Sequence, residues 1–127
     1  MRIVSDTSIL IDFLRTKLPE ESIYYKLIQE NYLIISIITV AELFSGKSAQ
    51  TKKGKEKLND LFKGIEIRIP YMEDAVRAGE IRYKHQLSMA DAMVAALALK
   101  LNLPLVTLDQ KSFERIKSLD IFPLHGL

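Results

Sequence analysis

The chain has 127 residues, 48% of them apolar, enough to bury the core of one domain, and it contains no cysteine. That absence excludes disulfides, thiolate metal sites and a cysteine nucleophile, and it fits a reducing compartment. The formal net charge is only +2, so a nucleic-acid-binding role has to show in local charge placement, not in the overall balance.

Asp6 falls where a signal peptide would carry its apolar run. The most apolar stretch, Ala92 to Leu108, is broken by Lys100, Asn102 and Pro104. It also falls short of the roughly 20 residues that cross a bilayer. A cytoplasmic protein without a membrane segment is expected. With no repeat, low-complexity tract or linker, residues 1–127 read as a single domain.

In chain order, Arg2 to Ser5 reads as a strand that ends at Asp6, and Thr7 to Leu14 as a helix. Pro19 suits a first helical turn and opens a helix to about Glu30. Tyr32 to Ser36 (YLIIS) is a buried-type strand, followed by a short helix from Thr39 to Phe44 that Gly46 closes. A lysine-rich helix spans Ala49 to Lys63, and a third strand spans Glu66 to Ile69. Met72 to Gln86 and Ser88 to Leu101 read as helices, Leu105 to Leu108 as a fourth strand and Gln110 to Ser118 as a last helix. Asp120 to Leu124 is a candidate fifth strand. Strands alternating with helices imply an α/β fold: a mostly parallel sheet of four to five strands with helices on both faces.

In such sheets the ligand site lies beyond the carboxyl ends of the strands. Asp6 follows the first strand and Asp109 the fourth, and Glu42 is read in the first turn of the helix after the second strand. Asp91 lies in the first turn of the helix that feeds the fourth strand, so it starts at the same edge. Four acids far apart in sequence are therefore expected on one patch. Such a cluster is repulsive unless protons or a cation neutralise it. Mg²⁺ or Mn²⁺ suits carboxylate oxygens, and neither His85 nor His125 is placed to favour zinc. Carboxylate-held divalent ions activate water and stabilise in-line displacement at phosphorus. Metal-assisted phosphodiester hydrolysis is the inferred chemistry.

Each acid also has a structural reading. Thr39-x-x-Glu42 and Ser88-x-x-Asp91 match capping boxes, and Asp6 and Asp109 suit N-caps. Asp91 is the only charge between Ser88 and Leu99 and lies among alanines, where an unpaired charge is costly. The hydroxyls of Ser8 and Thr107 suit either a water or phosphate oxygen, or nearby backbone groups. Asp12 reads as solvated surface. Lys47, Lys52, Lys53, Lys55 and Lys57 are candidate contacts to phosphates flanking a scissile bond, or a solvated helix face. Met72, Ala75, Val76, Gly79 and Tyr83 form an apolar stripe at helical spacing, fit for core or a dimer interface.

Taken together, IVSDTSILIDFL, SIITVAELFSG, LSMADAMVAALAL and LPLVTLDQKSFERI resemble the four motifs of PIN-domain proteins in order and spacing, and VapC-like toxins most closely. The resemblance covers essentially the whole chain. It implies a Mg²⁺- or Mn²⁺-dependent endoribonuclease, a homodimer, and a cognate antitoxin protein that covers the site. Carried over by position, Asp6, Glu42, Asp91 and Asp109 are the metal-binding and catalytic acids, with Asp109 the least constant. Two other readings stand beside it. A receiver-type phosphoacceptor domain needs an acid at the end of the third strand, where this chain has Pro70. A non-catalytic PIN-like scaffold has no need of a repulsive acid cluster.

Overall fold

The computed structural model describes all 127 residues. Four parallel strands, β1 (Arg2–Ser5), β2 (Tyr32–Ser36), β3 (Glu66–Arg68) and β4 (Leu105–Val106), form one sheet in the order β3-β2-β1-β4. Ile3 pairs with Leu33, Ile35 with Ile67, and Ser5 with Val106. The expected fifth strand is a single parallel bridge between Leu105 and Ile121.

Strands β1, β2 and β4 are buried on both faces, so alternate residues enter two different cores, whereas the edge strand β3 is partly exposed. Val4, Ile34 and Leu105 join Ala78, Ile81 and the buried residues of α6 (Met89–Leu101) on one face. Ile3, Leu33, Ile35 and Val106 join Ile9, Leu10, Leu27, Leu58 and Leu61 on the other. That second face is covered by α1 (Thr7–Arg15), α2 (Ile23–Ile28) and α4 (Lys52–Phe62). The first is covered by α5 (Met72–His85), α6 and the short α7 (Gln110–Phe113). Each fully buried Leu or Ile contributes about 1.5–3 kcal/mol, and the two cores clamp the sheet from both sides.

Right-handed crossovers explain the order. The steps from β1 to β2 and from β2 to β3 run one way across the sheet, with their helices on one face. The step from β3 to β4 runs back past β1, so α5 and α6 lie on the other face. The strand order therefore switches between β1 and β4, where such sheets open a crevice at their carboxyl edge.

Several boundaries differ from expectation. The helix expected from Pro19 divides into a 3-10 turn, Pro19–Glu21, and α2. Ser22 causes the break: its hydroxyl donates to the Pro19 carbonyl (2.7 Å) and accepts from the Tyr25 N–H (3.1 Å). The helix α3 spans Ile37–Ser45, with Ser36 as its N-cap. The lysine-rich helix starts at Lys52, after a 3-10 turn over Lys47–Gln50. Gln86, in the left-handed region at φ 57°, ends α5, and Ser88 caps α6 two residues later. No helix is long and apolar enough to cross a membrane.

The α5 stripe is not core. Met72 is 83% exposed, Val76 54% and Tyr83 89%, whereas Ala78 and Ile81 are the buried residues of that helix. Asp12, expected on the solvated surface, is half-buried and accepts a hydrogen bond from the Ile23 N–H (3.0 Å), tying α1 to α2.

Candidate active site

Asp6 leaves β1 at the switch between β1 and β4 and is the most buried of the four acids, at 5% exposure. It is the N-cap of α1: its Oδ1 accepts from the Ser8 N–H (3.1 Å) and the Ser8 hydroxyl (2.6 Å). Its Oδ2 accepts from the Thr107 hydroxyl (2.5 Å), which comes from the end of β4. The two hydroxyls are fixed in turn by backbone. The Leu108 N–H donates to Ser8 Oγ (2.9 Å) and the Asp109 N–H to Thr107 Oγ1 (2.9 Å). Burial pushes the Asp6 carboxyl above the usual carboxylate range, and the bonds from Ser8 and Thr107 oppose that rise. Ser8 and Thr107 thus both give their protons to Asp6 and lock its orientation.

Glu42 sits in the second turn of α3, exposed, and accepts from the Thr7 hydroxyl (2.5 Å). The expected Thr39-x-x-Glu42 capping box is absent, because Ser36 caps the helix and Thr39 is buried with its hydroxyl unpartnered. Asp91 is half-buried in the first turn of α6, and its backbone N–H donates to Ser88 Oγ (3.1 Å). Only this hydroxyl half of the Ser88 box is made, and it does not use the Asp91 carboxylate. Asp109 occupies the N-cap position of α7 without a side-chain cap, and its Oδ2 accepts from the Ser112 hydroxyl (2.5 Å).

Asp91 is under the influence of the other three acids. Burial raises the Asp91 carboxyl above the usual range; the Ser88 hydroxyl opposes this, and the charges of Asp6, Glu42 and Asp109 each push it further up. None of the four forms an ion pair; the salt bridges lie elsewhere, at Arg2 and Arg68 with Glu66, Lys63 with Asp60, and Lys100 with Asp74. The acids share one uncompensated patch without closing into a cage. No three His, Asp or Glu side chains in the structure gather as a metal-holding group. Their chemistry nonetheless fits a hard cation such as Mg²⁺, which is usually held by one or two carboxylates, with water and substrate phosphates completing its shell.

The structure scatters the lysine cluster. Lys47 lies beside Glu42 in a cleft. Lys52 and Lys53 are exposed at the start of α4. The Lys55 ammonium is held by the Ala49 carbonyl (2.6 Å), and Lys57 lies over the Phe13 ring (4.9 Å). Two partners of the acids escaped the sequence reading. Thr7 directly follows Asp6, and Ser112 stands three residues after Asp109, a spacing at which a hydroxyl commonly meets an acid at a helix start.

A PIN-domain sequence profile matches residues 3–119. The chain belongs to the PIN-domain family. Its fold is similar to that of VapBC2 from Rickettsia felis, solved bound to a DNA fragment from its promoter, at 25% identity and a TM-score of 0.79, covering 96% of this chain and 98% of that one. VapBC from Salmonella typhimurium, bound to DNA, matches at 22% identity and a TM-score of 0.80, over 98% of both chains. FitAcB from Neisseria gonorrhoeae matches at 25% identity and a TM-score of 0.64, over 98% of this chain and 99% of that one. No curated protein sequence matches significantly. The likeness to VapC-like toxins expected from the four motifs is borne out. Family membership also sets aside the receiver reading.

Proposed function

We propose that this chain is a Mg²⁺- or Mn²⁺-dependent endoribonuclease, the toxin of a cytoplasmic toxin–antitoxin pair, with Asp6, Glu42, Asp91 and Asp109 as its metal-binding and catalytic acids. The observation that carries this reading is the patch itself: four acids from four separate segments at one sheet edge, Asp91 pushed up by the charges of the other three, with no cation of the chain paired to any of them. A scaffold gains nothing from that arrangement, whereas a site for a divalent cation requires it.

A divalent ion held there supplies charge stabilisation to an in-line phosphoryl displacement by water. The chain's own residues supply position. Ser8 and Thr107 fix both oxygens of Asp6, Thr7 fixes Glu42 and Ser112 fixes Asp109, so three of the four carboxylates are oriented before substrate arrives. No covalent intermediate is needed.

The antitoxin partner is inferred from the structural neighbours, which are VapBC and FitAB assemblies. The homodimer is inferred from the α5 stripe. Met72, Val76 and Tyr83 are large and exposed, and Gly79 between them leaves open space for a second helix. Sedimentation of Val76→Glu against the wild-type chain tests the dimer; two species of equal mass would exclude this surface.

The test of function is cleavage of end-labelled RNA with Mg²⁺, with Mn²⁺ and with chelator, for the wild-type chain and Asp6→Asn. Cleavage that needs metal and disappears in Asp6→Asn is expected. Equal cleavage in chelator, or by Asp6→Asn, would overturn the assignment.

A further inference from the structure

An acidic patch repels the substrate it is meant to cut. An RNA strand can settle on four carboxylates only if cations nearby hold its flanking phosphates. Two clefts begin at acids of this patch. The first has Glu42 on its wall, Arg15 from the end of α1 and Lys47 from just past α3 at its rim, and Ile11 and Leu14 among its apolar lining. The second has Asp109 on its wall, with Lys111 and Arg115 from the segment after β4. Asp6 links the two: its neighbour Thr7 donates to Glu42, and Thr107, which donates to Asp6, accepts from the Asp109 N–H.

Arg15, Lys47, Lys111 and Arg115 are all exposed. None takes part in a salt bridge, and no side-chain hydrogen bond engages any of them, so each is free to meet an anion. The lysines of α4 differ. Lys55 and Lys57 are engaged by the Ala49 carbonyl and the Phe13 ring, and Lys52 and Lys53 line neither of the two clefts.

We propose that single-stranded RNA crosses the acid patch from one cleft to the other, with phosphates on one side of the scissile bond paired by Arg15 and Lys47 and those on the other side by Lys111 and Arg115. This rests on the ribonuclease reading and assigns its substrate path. Ile11 and Leu14 give the first cleft an apolar wall against which a base can pack, so this side contributes more to sequence preference than the second, whose lining is almost wholly polar.

The experiment measures binding of a fluorescent single-stranded RNA to the full chain in chelator across a range of KCl. The double variants are Arg15→Gln with Lys47→Gln and Lys111→Gln with Arg115→Gln, beside Lys52→Gln with Lys53→Gln. A control pair, Lys17→Gln with Lys26→Gln, reports the effect of net charge alone. Each cleft pair should flatten the slope of log K against log salt by about 1.4, at about 0.7 per phosphate contact for single strands. In Mg²⁺, cleavage of RNAs shortened from either end should show the polarity: each cleft pair becomes insensitive to shortening at one end, and the two pairs differ in which end. Wild-type slopes in both cleft variants, a loss carried by Lys52 and Lys53 instead, or both pairs blind to the same end would overturn the path while leaving the ribonuclease reading intact. A wild-type chain that neither binds nor cuts RNA would remove both.

Discussion

Replacing Asp91 with Asn separates a capping acid from a catalytic one, and the structure fixes what each reading predicts. A complete capping box is worth on the order of 1 kcal/mol, roughly 3–6 °C of melting temperature in a domain of this size. Here the bond that caps α6 runs from the Asp91 backbone N–H to Ser88 Oγ, and the side chain can change without touching it. Burial and the charges of Asp6, Glu42 and Asp109 all disfavour the ionised carboxylate. Removing the charge therefore relieves repulsion, and Asp91→Asn should melt at or above the wild-type temperature in chelator at neutral pH. The sign follows from linkage. A carboxyl raised in the folded state contributes stability below its unfolded pKa and loses it as pH rises through the folded value, so the gain in the variant is present at neutral pH and absent in acid. Loss of a carboxylate that acts with a metal should cost several kcal/mol of transition-state stabilisation, a rate loss of a hundredfold or more at about 1.4 kcal/mol per tenfold. The assays are thermal melts in chelator and RNA cleavage rates in saturating Mg²⁺. A variant that melts several degrees below the wild type in chelator yet cleaves at the wild-type rate would refute this reasoning.

Three further outcomes are expected. Thr107→Val keeps the shape of a fully buried side chain but strips Asp6 Oδ2 of its donor and the Asp109 N–H of its acceptor, and should cost about 1–3 kcal/mol per group left unpaired in denaturant titrations; Thr107→Ser should restore most of it. Gly54→Ala would place a Cβ 1.5 Å from the Ser48 carbonyl oxygen, forcing α4 off the turn before it, and should destabilise by about 1–3 kcal/mol or more in the same titration. Asp74 is held below the usual carboxylate range first by the Tyr71 N–H (2.7 Å) and then by Lys100 (3.1 Å), so its contribution is present above its unfolded pKa and lost as pH falls through the folded value; Asp74→Asn should lower the melting temperature at neutral pH, with the difference closing in acid.

The layer architecture was legible because the strands are short apolar runs closed by polar residues, and α6 is apolar around nearly its whole circumference. Element ends were less legible, because hydroxyl residues compete with the helix for backbone groups. Ser22 looks like any residue inside a helix opened by Pro19 until its hydroxyl is seen capping the next one. In the same way Ser36, and not a residue next to Thr39, starts α3, since β2 runs on to pair Ser36 with Arg68. The last helix spans only Gln110–Phe113, short of the expected Ser118, for another reason. Phe113, Ile116 and Leu119 are all buried at a spacing of three, which suits a helix, but they are delivered by successive turns closed from Ile116 to Phe113 and from Leu119 to Ile116. The α5 stripe has the expected period but is exposed instead of core, because periodicity reports an apolar side without saying what covers it.

At the site, the shared edge of the four acids is readable from the strand ends before Asp6 and Asp109 and the helix starts near Glu42 and Asp91, but their partners are not. The Thr107 bond to Asp6 spans 101 residues and exists only because β4 lies beside β1, an order that local patterning does not encode. The same topology explains why capping and catalysis were hard to separate. In a parallel sheet the strand ends and the N-termini of the connecting helices meet at one edge, so an acid placed to suit a helix start, worth about 0.3–1 kcal/mol, also joins every other such acid. Asp6 caps α1, Asp109 holds the N-cap position of α7, and Asp91 lies in the first turn of α6. Each has a local reason to be there. Glu42 has none: it sits beyond the first turn of α3, makes no cap, and is held at the edge by a hydroxyl from the helix that Asp6 begins. An exposed acid fixed toward three others without structural gain is best explained by what the patch binds, and Glu42 is therefore the residue that most strongly favours a functional cluster over four coincident caps.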